Sequence, residues 1–411
     1  MMSSIILKLI QNMTNPIIRQ QEIKDDPDYK LVTQLMSIPR LCGILQSDGH
    51  FNINYDREKV QNARIIITQT GKRIPWLYGL QDYLLTKDIK VTIPPPKTIK
   101  EKVIKGESIN ITIERVNCRV FLELIKETEE IFKTPLLFDK KRVSYLLLCE
   151  SVKIKQDCKH NPLTEQQAAM LVDIKESGIK LGNSNGPRGL SRDQLIDRLG
   201  FPGVKTEGQA KFLIEDTERK VHACGVEVLN RLSILSNPTL INPALADFIA
   251  GVFDGDGSYA VGLFTHLTQD GKKLPKRHTF EIVPFIKVTT YREKDLMLFK
   301  IIYAAFGKKP HITEEKTNNK ENQGNSVKLE IKNAKFLKEY VVPFFKEYPP
   351  SLNKNEIRFN TFCEVLSKLP LDYRDKKGNL EIIRFIYETD LYERNKTLEE
   401  YLKIVELDYE V

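Results

Sequence analysis

Two short stretches of this chain run into an acid followed by glycine: "IPRLCGILQSDGHFNI" at residues 38–53 and "ADFIAGVFDGDGSYAV" at residues 246–261. In each, small and apolar residues read as a helix, the glycine as its stop, and the residues beyond as a strand. The final acids, Asp48 and Asp256, therefore stand at helix C-termini. There the macrodipole is negative and a carboxylate costs a few tenths up to about 1 kcal/mol. A cation or a hydrogen bond has to compensate. One Asp-Gly alone would be explained as a turn cap, but two of them, ending matched helices, point to chemistry. Two carboxylates at close range resist double ionisation unless cations lie between them. Mg2+ suits such a pair, with Mn2+ also allowed. Metals shared between two acids can activate water and stabilise a leaving oxygen in phosphodiester hydrolysis.

The elements that would position these acids are repeated. Leu41 to Gly49 aligns with Ile249 to Gly257, and small residues fall four apart in both copies, at Gly43 and Ser47 and at Gly251 and Gly255. Four apart is one helix face, and small side chains there let two backbones approach closely. If the two faces pack on each other, Asp48 and Asp256 become neighbours. After the first motif come strand patterns at 51–55 and 63–70, a helix in "IPWLYGLQDYLL", and strands in "IKVTI" and "ESINITIERV". A helix opened by Asn117 and a basic helix, "LLFDKKRVSYLLLCE", close the unit. After the second come strands at 259–267 and 280–290, a helix in "EKDLMLFKIIYAAFG", and a strand in "NSVKLEIKN". A helix opened by Asn333 and then "SLNKNEIRFNTFCEVL" complete the order. Each half reads α-β-β-α-β-β-α, an α+β chain of two repeats packed through their motif helices.

This divides the 411 residues into an N-terminal extension (1–35), a first repeat (36–154), a helical insert or linker (155–240), a second repeat (241–370) and a helical tail (371–411). The insert carries capping-box spacing at Thr164 and Gln167 and at Ser191 and Gln194. It reads as a decorated linker, with an extra DNA-contacting module as the alternative. The balance of 63 Lys and Arg against 55 Asp and Glu, net +8, points mildly to a polyanionic partner. Six cysteines contain no CxxC. Cys149, Cys158 and His160 are the nearest to a zinc cluster, and free thiols in a reducing compartment are the simpler reading. No apolar run reaches the roughly 20 residues of a membrane span. The first residues, "MMSSIILKLIQNMTNPIIRQ", lack acids and suit a transit-like segment or the remnant of a longer reading frame.

The two motifs resemble the paired signatures of the LAGLIDADG homing endonucleases in their single-chain, two-repeat form. "IAGVFDGDG" is a close match; "LCGILQSDG" is looser, with Gln46 in place of the first acid and Cys42 in place of alanine. The resemblance implies a metal-dependent, site-specific DNA endonuclease that makes a staggered double-strand break in a long asymmetric target. It implies that Asp48 and Asp256, with Gly49 and Gly257 beside them, hold the metal. Gln69 would position water, with Thr290 at its place in the second repeat. Lys140 or Lys141, and Lys354, would face the scissile phosphate. The implied fold is two antiparallel sheets forming a saddle on double-stranded DNA, the chain acting as a monomer. The strands agree with that, since Asn52, Asn54, Arg64, Lys287 and Lys328 alternate with apolar neighbours, and Gln69 and Thr290 join them as DNA-contacting candidates.

An RNA maturase that assists splicing of its own group I intron, with intron RNA as partner, is the main alternative. A regulator that lost catalysis is disfavoured because both motif acids are present. An intein is disfavoured by the initial Met and the final "LDYEV". No P-loop, GxGxxG or GxSxG points elsewhere. The abundance of Lys, Asn and Ile fits an AT-rich genome, and with the resemblance suggests an organelle-encoded protein of a mitochondrion or chloroplast.

Overall fold

The computed structural model describes residues 22–54, 62–70, 73–105, 107–158, 161–181, 191–234, 241–268, 277–290, 296–307, 313–315, 326–369, 376–389 and 397–408. The chain divides into two units, residues 1–255 with 293–310 and residues 256–292 with 311–411.

In the first unit, helix α1 (Pro27–Leu35) precedes the first motif helix, α2 (Ile38–Asp48). Ser37 caps α2 by accepting from the Arg40 N–H, and Pro39 sits in the first turn, where its missing N–H costs nothing. The chain passes straight from Asp48 into strand β1 (Gly49–Asn54), which pairs antiparallel with β2 (Asn62–Thr70). Helices α3 (Ile74–Leu85) and α4 (Pro96–Ile104) lead to β3 (Ser108–Glu114), the other neighbour of β2. Phe51, Ile65, Ile67, Ile111 and Ile113 are buried on one face. Asn52 pairs with Arg64 on the opposite, outward face, as period-two alternation requires.

Two expectations fail here. "IKVTI" contributes only a bridge between Thr92 and Thr112, because three prolines, Pro94 to Pro96, follow at once and cannot donate to a ladder. Asn117 does not open the next helix. Helix α5 (Arg115–Phe132) starts directly from Glu114 through Arg115 at φ 56°, and the Asn117 carboxamide instead accepts the Lys90 N–H at 2.9 Å. Helix α6 (Asp139–Asp157) then follows as expected.

The insert forms helices α7 (Glu165–Lys180), α8 (Arg192–Arg198) and α9 (Ala210–Ile234). Both capping boxes form, at Thr164 with Gln167 and at Ser191 with Gln194. The second motif helix, α10 (Pro243–Asp256), comes next, and α11 (Leu296–Ala305), from the second repeat, also packs into this unit. Helix α9 lies along α6, α7 and α11. At Gly225 a β-carbon would come within 2.5 Å of Met297 Cγ. Leu171, Val172, Val221 and Val228 are buried. The insert is thus part of this unit's core and not a loose linker.

In the second unit, β4 (Gly257–Thr268) and β5 (Arg277–Thr290) form a hairpin with strands of 12 and 14 residues, against 6 and 9 in β1 and β2. With β6 (Thr313–Glu315) and β7 (Ser326–Ile331) they make a sheet of order β4-β5-β7-β6, so the predicted four strands are present here. Asn333 caps α12 (Ala334–Phe336) at 2.9 Å, as its position in the sequence predicts. A π turn, Leu337–Val341, leads to α13 (Val342–Glu347), which carries Pro343 in its first turn. Tyr259 meets the rings of Phe345 and Phe359 edge-on, at 5.0 and 5.2 Å, the latter from α14 (Asn353–Lys368). The tail forms α15 (Lys376–Glu388) and α16 (Leu398–Asp408), whose Ile382, Ile383 and Tyr401 are buried against Val261, Leu263 and Ile282 of the hairpin.

No described helix is long and apolar enough to cross a membrane. Among the described residues no three His, Cys, Asp or Glu gather to hold a metal, and all six cysteines are free thiols.

Candidate functional site

The small residues of the two motifs do what their spacing requires. A β-carbon on Gly43 would lie 2.0 Å from the Phe248 carbonyl oxygen, and one on Gly251 would lie 2.0 Å from that of Arg40. Backbone meets backbone along α2 and α10. Near the foot of the pair, a β-carbon on Gly255 would lie 2.6 Å from Ser47 Cβ and 3.8 Å from Asp48 Oδ2.

A buried charge pair locks the same helices. Arg40 Nε donates to Asp254 Oδ2 at 2.8 Å, with the two side chains 2% and 1% exposed. Arg40 Nη1 lies 3.5 Å from Asp247, which also accepts from the Ser37 hydroxyl. Gln46, at the position matching Asp254, spans the other way: its carboxamide accepts the Phe138 N–H at 3.0 Å and donates to the Phe138 carbonyl at 3.3 Å. It fixes the residue from which α6 starts.

That start matters because α6 carries Lys140 and Lys141. The Lys141 ammonium donates to the carbonyl of Gly49, next to Asp48. Ser144 donates to the Lys140 carbonyl at 2.9 Å, and the Lys140 side chain is half-buried. Asp139, ahead of them, accepts the Leu298 N–H at 3.0 Å and so satisfies a first-turn donor of α11.

Asp48 is half-buried at the end of α2. Gln69 Nε2 donates to its Oδ2 at 2.8 Å, and Arg73 Nη1 donates to Gln69 Oε1 at 2.5 Å. Burial pushes the Asp48 carboxyl above the ordinary aspartate range, while Arg73, the Gln69 hydrogen bond and Lys141 pull it back. Neighbouring His50 is shifted down, by burial first and Lys141 second. The result is a carboxylate whose ionisation costs free energy, held in one orientation by a relay from Arg73 through Gln69. Such a group gains from a cation.

Gln69 was expected both here and among the DNA contacts. It is 4% exposed and shares the inward face with Ile65 and Ile67, so its place is at the carboxylate. Asn52, Arg64, Lys287 and Lys328 lie on outward faces. Arg64 pairs across the strands with Glu114 at 2.5 Å. Lys328 is shifted down by burial and by Lys287. Asn54 and Thr290 pair with Asn62 and Val327, but their side chains lie outside the described residues. In the second unit Asp256 is half-buried where α10 ends and Gly257 opens β4. Lys354 is exposed in the first turn of α14. Sequence reasoning missed Arg73, Arg40 and Asp247. Arg73 offered one signal, a basic residue in the turn just after the Gln69 strand.

Comparison with known proteins bears on the fold. Residues 249–366 match the family described as LAGLIDADG endonuclease. No curated protein sequence matches the chain. Among solved structures, a lysine-to-alanine mutant of I-SmaMI is 16% identical, covering 88% of this chain and 99% of its own, with a TM-score of 0.53. The I-LtrWI LAGLIDADG homing endonuclease bound to target DNA is 17% identical, covering 90% and 100%, also at 0.53. I-SmaMI bound to an uncleaved DNA target with calcium ions is 15% identical, covering 86% and 99%, at 0.52. With its two motif helices and a sheet following each, the chain shares the fold of single-chain LAGLIDADG homing endonucleases, and its residues 249–366 match the LAGLIDADG endonuclease family.

Proposed function

We propose that this protein is a site-specific DNA endonuclease that hydrolyses both strands of a long, non-palindromic duplex with Mg2+ or Mn2+, leaving a short stagger. The observation that carries the reading is Asp48: a half-buried, up-shifted carboxylate at the end of a family motif, oriented by Gln69 and Arg73. The donor set fits a hard divalent ion. Asp48 in the first repeat and Asp256 in the second are the carboxylates we propose as metal ligands, with Gly49 and Gly257 beside them. When bound, the metal supplies an activated water and charge stabilisation at the leaving oxygen. Lys141, beside Asp48, and Lys140 and Lys354 add positive charge for the phosphate. The outward sheet faces, with Asn52, Arg64, Lys287 and Lys328, suit base edges and phosphates.

The repeats have diverged, and two unlike sheets in one chain favour an asymmetric site read by a monomer. We further propose organelle encoding, from the composition. A cleavage selection on a randomised duplex library with Mg2+ tests the reading. The expected result is one enriched, asymmetric site cut on both strands. Specific binding without cutting in either metal would overturn the endonuclease assignment. Stimulated splicing of an intron RNA under those conditions would favour the maturase.

A further inference from the structure

The outward face of the second sheet is not uniformly polar. On β4, Phe264 is 37% exposed, and its ring folds back over Gly262, where a β-carbon would come within 2.3 Å of the ring. On β5, half-buried Phe285 stands opposite Ala260. The strand register continues this row to Lys332, whose ammonium lies 5.7 Å from the centre of the Phe264 ring and 6.0 Å from that of Phe285. Lys332 also pairs with Glu330 at 2.9 Å. These rings lie on the face opposite Tyr259, Val261 and Leu263, which the helices cover.

Aromatic surface left in water is unfavourable, and covering it on contact with a partner is favourable. On β4 the residues before Phe264 on this face, Ala260 and Gly262, are small, and across from them stand Phe285 and Val283, with Glu281 opposite Phe264 itself. Lys287, Lys328 and Lys332 share the face with Glu281 and Glu330, three cations to two carboxylates, which leaves it net positive toward a polyanion. Within a major groove, one feature above all offers apolar complement to a phenyl ring: the 5-methyl group of thymine.

We propose that Phe264 and Phe285 form a thymine-reading patch, selecting base pairs in the half-site bound by the second repeat by packing on thymine methyl groups. Lys332 holds the rings by cation–π attraction. Its charge also draws the phosphate backbone. This rests on the endonuclease reading, and it adds a specificity determinant to it.

Uracil differs from thymine by that methyl alone. A target recovered by the cleavage selection is remade with single thymines replaced by uracil, and affinity is measured for each duplex. Wild-type protein should lose about three- to five-fold at each methyl the rings contact, the worth of burying one such group. Those positions should fall within one half of the site. A Phe264→Ala, Phe285→Ala double variant, checked for folding by circular dichroism, should bind thymine and uracil duplexes alike. If wild-type protein binds the target tightly with no uracil sensitivity in either half, or if the variant keeps that sensitivity, the patch is overturned. If wild-type protein selects no duplex at all, the endonuclease reading itself fails.

Discussion

Asp48 ionises against the cost of its own burial, and its neighbours decide how much of that cost remains. Because its folded-state pKa is raised, the protonated form favours the folded protein. The associated stability is complete below the unfolded aspartate pKa, about 3.9, and is lost as pH rises through the folded value. Asp48→Asn, measured without metal, should therefore raise the melting temperature at neutral pH, and the gain should vanish in acid. The same substitution, and Asp256→Asn, should each abolish double-strand cleavage while leaving specific binding within a few-fold in a mobility-shift assay. Normal cutting of both strands by either variant would refute their role. Gln69→Ala removes the hydrogen bond that pulls the Asp48 pKa down. The acid limb of the pH–rate profile should move to higher pH, with about a 10- to 100-fold weaker response to metal. An unshifted limb would show that the Gln69 contact does not tune the carboxylate.

At the scale of elements, the helix pair is held by an absence of side chains and by one buried charge pair. Gly251→Ala places a methyl against a backbone carbonyl that no rotamer change can move aside. We expect a loss at or above the upper end of the roughly 1–3 kcal/mol that overpacking typically costs, read by urea denaturation. An unchanged midpoint would mean that the helices can separate freely. The Arg40 pair makes a second, signed prediction. Arg40→Leu removes the cation facing both Asp254 and Asp247 and should cost about 3–5 kcal/mol, whereas adding Asp254→Leu should recover part of that loss, Asp247 still lacking its guanidinium. A double variant no more stable than the single would show that the cost is packing and not charge.

At the scale of the whole molecule, the described helices of the insert and of the tail add to the cores of their units. The insert helices belong to the core of the first unit, and the tail helices cover the inner face of the long β4–β5 hairpin. Ending the chain after Leu369 exposes Val261, Leu263 and Ile282, and removes Ile382, Ile383 and Ile386 that cover them. At roughly 1.5–3 kcal/mol for each large apolar side chain left in water, the second unit should melt several degrees lower. Limited proteolysis should then cut first within the hairpin. A truncated protein with unchanged melting and proteolysis would show that the tail is dispensable. The unequal hairpins also distinguish the two repeats, since the longer one needs the extra support that the tail provides.

Much of this was legible in the residues alone. The helix starts at Thr164, Ser191 and Asn333, the motif helices, the strand alternation and the placing of both aspartates at helix ends depend on neighbours a few positions apart. So do the small-residue faces, whose only readable meaning is close approach. Where local signals competed, the sequence misled: Asn117 looks like a cap, yet β3 runs into α5 before it, and three prolines cut short a promising strand. The tertiary structure alone joined Arg73 to Asp48 through Gln69, and Arg40 to Asp254 across 214 positions. It alone drew α11 and the insert into one core and turned two rings toward one lysine. Caps and periodicity are short-range and are written in order along the chain. Which buried charge meets which partner depends on how whole elements pack, and one chain position carries no record of that.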